Sequence, residues 1–248
     1  MRLLLANPNT SQAVTDRIAA VARANASPGT TIHAVTAGHG VPYIATRAEA
    51  VIGAGEVLEL LAKHAGEADA AVVAAFGDPG LGVARELLSI PVTGMAEASM
   101  LTACMLGRRF AIVTFATALG CWYGEIVEAV GLGARCSGVH WLDEPFADVA
   151  GVAEEKAARL VALCADAVAA GAEVCILGGA PLAGLAAEVV DQVAVPLVDG
   201  VAAAVRQAEV LASLRPRKAT AGSFRRPAAK PMQGMSPAVT RLFQGGPA

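Results

Sequence analysis

Aromatic side chains make up only 4% of the 248 residues. A core with so few rings has to be built from Ala, Val and Leu, which supply most of the 55% hydrophobic content. Charge is also thin, at 17% with a net of −3, a balance that argues neither for nor against nucleic acid. Long apolar runs are missing. Gly, Pro or a charge interrupts each one before it reaches membrane-spanning length, which excludes a helical membrane protein. The opening residues Met1 to Ala6 are apolar but too few for a signal peptide, and they lead directly into Asn7-Pro8-Asn9. The five cysteines are odd in number and no pair has metal-ligand spacing, so neither a disulfide framework nor a metal site is expected. Cys104 and Cys164 fall in helical patterns and Cys175 in an apolar run, as small core residues of a reducing compartment would. We expect a soluble cytoplasmic protein with no membrane partner.

What is present is a repeated corner. Ala70 to Ala75 is an unbroken run of small and β-branched residues, suited to a strand buried on both faces. It stops at Gly77-Asp78-Pro79-Gly80, where Asp78 reads as a helix N-cap and Pro79 as a first helical residue. Val174 to Leu177 runs in the same way into Gly178-Gly179-Ala180-Pro181 and a helix over 182–190. A strand that ends at a helix N-terminus leaves free N–H groups at the carboxyl edge of the sheet, where ligands bind in open α/β folds. Two such corners belong either to two similar lobes facing one cleft or to ordinary turns of one large sheet.

Strands and helices alternate along the rest of the chain, which predicts an α/β fold with parallel sheets. Strands are expected at 2–6, 31–36, 70–75, 90–92, 110–114, 138–141, 174–177 and 195–198. Helices are expected at 12–24, 46–64, from Asp78 onward, 94–106 with Gly107 as a terminating residue, 117–130, 148–170 and from Asp199-Gly200 to 211. Asn9 and Thr10 follow the first strand, with Thr10 or Ser11 placed to cap the next helix; both serve either as turn residues or as ligand donors. Tyr43 either leans over a ligand or packs, and Arg47 meets either a carboxylate or Glu49 on its own helix face. Thr117 either caps its helix or binds an anion there. Of the four histidines only His39 lies in a loop near a carboxyl edge, where solvent exposure is the simpler account.

No acid follows Glu209, while seven Lys and Arg residues from Arg215 to Arg241 are spread among prolines and glycines. This tail lacks a nucleic-acid recognition motif. We read it as lying along the surface or across a partner subunit.

Asn7-Pro8-Asn9-Thr10-Ser11, Phe76-Gly77-Asp78-Pro79-Gly80-Leu81, the 91–98 stretch, Leu177 to Gly184 and Val195 to Val201 occur in that order. The ordered set resembles the aspartate/glutamate/hydantoin racemase superfamily over about residues 1–212, most of all its hydantoin racemase branch. The resemblance implies two pseudo-symmetric Rossmann-like lobes with a site between them. The first would span 1–97 and take back a helix at 199–212; the second would span 98–198; the basic tail would span 213–248. It implies a homo-oligomer acting on a small molecule, with no cofactor.

It also implies two cysteines, one per lobe, that exchange a proton at the carbon α to a carbonyl from opposite faces. In this chain those positions fall on Ala75 and Gly179, and of the cysteines present only Cys121 sits near the rim of the expected cleft. What remains is a set of donors. Backbone N–H groups at Phe76–Gly77 and Gly179–Ala180 would hold carboxylate or imide oxygens, next to Pro181 and Tyr43, with Asn9 and Thr10 adding side-chain contacts. Asp78, Thr114 and Thr117 are the catalytic candidates, with Glu97 a second acid. An isomerase, a lyase or ring-opening hydrolase, and a non-catalytic binder all remain open.

Overall fold

The computed structural model describes residues 1–245, so the last three residues of the expected tail lie outside it. Strand β1 (Arg2–Asn7) leads through a Ser11 cap into α1 (Gln12–Asn25), with the Ser11 side chain accepting from the Val14 N–H. Then come β2 (Thr31–Thr36) and α2 (Arg47–His64), which starts in a reciprocal Thr46–Glu49 capping box. Strand β3 (Ala70–Val73), α3 (Leu81–Leu87), β4 (Val92–Gly94) and α4 (Met95–Leu106) follow. The second half repeats the pattern with β5 (Phe110–Thr114), α5 (Thr117–Ala129), β6 (Cys136–Trp141), α6 (Val152–Ala169), β7 (Val174–Leu177), α7 (Leu185–Glu188) and β8 (Leu197–Asp199). Helices α8 (Gly200–Ser213) and α9 (Pro237–Phe243) end the described chain.

There are two four-stranded parallel sheets, ordered β2-β1-β3-β4 and β6-β5-β7-β8. The chain thus has the two-lobe arrangement, and the single large sheet is excluded. Strands β3, β5 and β7 are buried along their whole length, as unbroken apolar runs require. The registers match strand for strand: Ala6 pairs with Val73, and Val113 with Leu177. One residue on, Ala74 N–H donates to the Ala6 carbonyl at 2.9 Å and Gly178 N–H to that of Val113 at 2.8 Å. Ala75 and Gly179 are therefore corresponding positions. Helix α8 follows the second sheet in sequence but packs against α1, α4 and β3.

Several local expectations are corrected. The helix expected over 182–190 breaks at Gly184, whose φ of +91° suits glycine, into a 3-10 turn at Ala180–Leu182 and the short α7. Strand β4 starts two residues later than expected, and α6 starts at Val152 instead of Asp148. Gly107 ends α4 in an extended conformation at φ −157°, so no left-handed cap forms.

The tail follows the first lobe. Lys218 donates to the Arg85 carbonyl, and Arg226 to those of Leu87 (2.6 Å) and Leu242 (3.2 Å). Two basic residues thus satisfy carbonyls at the end of α3, the end that favours cations. Helix α9, which the sequence did not suggest, buries Val239 and Leu242 beside Leu4, Val57 and Leu87. No helix among the described residues is long and apolar enough to cross a membrane.

Candidate active site

The two corners meet. The first lobe supplies Asn9, Tyr43, Ile44, Ala75 and Phe76, and the second Tyr123, Gly179, Ala180 and Pro181, to the walls of one cavity. Its free volume is about 20 Å³, room for roughly one water. Roomier hollows, of about 330 Å³ beside His33 and His64 and about 710 Å³ along the tail, are not formed by the carboxyl edges of the strands. The small cavity is the one built where α/β folds place chemistry.

Its walls are rich in unused donors. The N–H groups of Phe76, Gly179 and Ala180 have no hydrogen-bond partner among the described residues. Asn9 is buried, and its Oδ1 accepts from Asn7 Nδ2 and the Ser11 N–H, both at 3.0 Å. That fixes the amide so that its NH₂ is the half left over. The Tyr43 hydroxyl is buried and has no partner among the described residues. Burial, and then the charge of Glu49, push the Tyr43 phenol above its ordinary range. Burial does the same to Tyr123, helped by Tyr43 and Asp78 and opposed by the neighbouring Thr114 hydroxyl. Both phenols therefore stay neutral near pH 7 and act as donors.

Aromatic contacts hold the lobes together around this space. Phe76 meets Tyr123 at 4.8 Å between ring centroids, and Tyr43 meets Phe115 at 5.7 Å. Trp122 lies over Gly77, where a β-carbon would fall 2.5 Å from the indole. On the surface Arg47 forks onto Glu125 of α5, linking the start of α2 to the other lobe. Arg47 thus pairs with Glu125 in place of Glu49, which completes the cap of its own helix.

With this geometry in view, the comparisons with known proteins are informative. The sequence model of the family described as Asp/Glu/Hydantoin racemase matches residues 3–208. The chain belongs to that family. A hydantoin racemase of Paenarthrobacter aurescens is 32% identical over 236 residues, which cover 93% of this chain and 99% of the relative. Among solved structures, an allantoin racemase from Klebsiella pneumoniae superposes with a TM-score of 0.89 at 36% identity, covering 96% of this chain and 98% of that one. An allantoin racemase from Pseudomonas fluorescens gives 0.86 at 32% identity, covering 94% and 100%.

Within this family member, five of the expected site residues lie off the cavity wall. Asp78 does not cap the helix it precedes. Helix α3 begins after Gly80 with no side-chain cap, and Asp78, at φ +50°, accepts instead from the N–H groups of Ala96 (2.9 Å) and Glu97 (2.8 Å) at the start of α4. As a residue Asp78 is half-buried, but its carboxyl is enclosed against Gly94. Burial pushes its pKa up to about 7, against the pull of the two N–H bonds. Glu97 is paired with Arg85. Thr114 donates to the Gly178 carbonyl at 2.7 Å and so props the second corner from below. Thr117 is exposed and donates to Asp143 at 2.6 Å, with no cap to its own helix. Thr10 ties the Tyr43 loop to the first lobe through its N–H and the Val41 carbonyl, 3.0 Å. Gly77 sits under Trp122. Cys121 is exposed on α5, Cys164 and Cys175 are buried, and His39 is exposed.

Ile44 and Tyr123 were missed. For Tyr123 a signal existed: the chain has only two tyrosines, and both line this cavity.

Proposed function

We propose that the inter-lobe cavity receives a small carboxylate or a hydantoin-like cyclic amide, and that the protein is an isomerase-type enzyme working at the carbon α to a carbonyl. Ala75 and Gly179 stand where the family resemblance puts a pair of cysteines. The observation carrying this reading is that residues from both lobes whose N–H groups have no partner among the described residues, namely Phe76, Gly179 and Ala180, line one cavity. Orphan buried N–H groups are rare, and donors aimed at one point stabilise an enolate or tetrahedral oxyanion, each typically contributing a few kcal/mol. The space of about 20 Å³ is smaller than a hydantoin ring, so the lobes part for a ligand to enter.

One observation favours a second reading. Apart from two neutral phenols no titratable side chain among the described residues lines the cavity, so an α-proton has no side-chain acceptor on the described wall. A non-catalytic binder of the same ligands fits that wall as well. Incubation with hydantoins, allantoin, glutamate and phenylmalonate in D₂O separates the readings, scored against protein-free controls. Deuterium at the α-carbon of recovered substrate supports proton transfer, and a new product mass supports a lyase or hydrolase. Thermal stabilisation without turnover supports the binder. Failure of every compound to stabilise the protein or to react overturns the ligand class.

A further inference from the structure

We propose that Tyr43 is a specificity-determining residue of this cavity, whose hydroxyl is held without a partner in the free protein so that it donates to a carbonyl or imide oxygen of the ligand. The proposal rests on the ligand-binding reading above.

Three observations carry it. The hydroxyl is enclosed yet unbonded among the described residues, a situation native structures avoid unless the group has a use. The segment around it is anchored at both ends. Thr10 N–H holds the Val41 carbonyl at 3.0 Å, and Glu49 accepts from the N–H groups of Ala45 (2.8 Å) and Thr46 (2.9 Å). Finally, the ring is wedged against two phenylalanines of the other lobe, Phe115 at 5.7 Å and Phe146 at 6.3 Å between centroids. While the lobes are closed, a phenol held in this way is shut off from water. Its bond is reserved for whatever enters. Because burial keeps it protonated, it has a proton to donate to an oxygen acceptor on the ligand.

Tyr43→Phe tests this by sign. Deleting the oxygen removes an unsatisfied buried group, so the ligand-free melting temperature rises, by about 2–4 °C. The same change weakens binding of 5-methylhydantoin or allantoin by about tenfold or more, measured by calorimetry. Thr114→Val serves as the opposite control: its hydroxyl donates to the Gly178 carbonyl at 2.7 Å, so its loss lowers the melting temperature. A lower melting temperature for Tyr43→Phe would show that the hydroxyl already has a partner, and unchanged affinity would show that it does not touch the ligand; either overturns the proposal. If neither compound binds the wild-type protein, the assigned ligand class fails, and the Tyr43 assignment is judged on the melting temperature alone: a rise supports a reserved donor and a fall overturns it.

Discussion

The two lobes tie the same pair of elements together with one carboxylate, but from opposite sides. In the first lobe the acid lies in the corner after β3: Asp78 reaches across to the N-terminus of α4. In the second it lies at the end of the edge strand. Asp199 caps its own helix through the N–H groups of Val201 and Ala202, and reaches back to the Gly184 N–H at 2.7 Å. The registers show that these are alternatives. Gly94 pairs with Val73 as Asp199 pairs with Leu177, so the first lobe has glycine where the second has its cap. A β-carbon on Gly94 would lie 2.2 Å from the Asp78 carboxyl. What the two lobes share is a carboxyl acceptor between the corner and the next helix start, where unpaired N–H groups gather. Which strand supplies it is free to differ. The solutions are not equal: Asp78 accepts an uncommon φ of +50° and an enclosed carboxyl, while Asp199 sits at an ordinary N-cap φ of −88°.

Converting one lobe into the other is the strongest challenge to this comparison. Gly94→Asp alone forces two carboxyls into one space and should destabilise by about 3 kcal/mol or more in urea unfolding. Adding Asp78→Gly should restore at least half of that, because the new acid then caps α4 as Asp199 caps α8. No recovery would mean that the two caps are not interchangeable. The corners themselves should respond next most strongly, and unequally. Gly179 has φ +133°, and a β-carbon there would meet Phe115 at 2.9 Å, so Gly179→Ala should lose about 1–3 kcal/mol. Ala75→Gly should lose about 1 kcal/mol or less. Equal losses would break the asymmetry. Asp78 also makes stability depend on pH. The folded protein holds the Asp78 proton up to about pH 7, whereas an unfolded Asp releases it near 3.9. Proton binding therefore adds stability that is fully present below about pH 4 and fades as the pH rises through 7. Wild-type stability relative to Asp78→Asn should fall across that window. A flat difference would show that the N–H bonds outweigh burial.

This asymmetry also explains what the sequence could and could not disclose. The strands were legible because β3, β5 and β7 are short apolar runs buried on both faces, and the helix starts at Ser11 and Asp199 because those caps act on their own helices. Asp78 has the same local appearance but acts on residues 18 and 19 positions away. No local spacing carries that. Tyr43, Ala75 and Gly179 fell at carboxyl edges and reached the cavity wall. Thr114 and Thr117 lay at similar edges, yet one turns its hydroxyl down to a carbonyl and the other out to Asp143. Strand and turn patterns fix which end of a sheet a residue occupies, not which way its side chain points. Helix α9 escaped notice because its seven residues make one apolar stripe too short to stand out from the tail, and its partners Leu4, Val57 and Leu87 are far away in sequence.

That last helix has a practical consequence. The family model's match stops at residue 208, and a chain could be trimmed there on that boundary alone. It would lose Val239 and Leu242 from beneath α2, along with the guanidinium and ammonium groups that close the end of α3. An oily seam on the first lobe would open to water, a surface prone to stick to its neighbours. The segment beyond the family model's boundary is, for this protein, part of the wall.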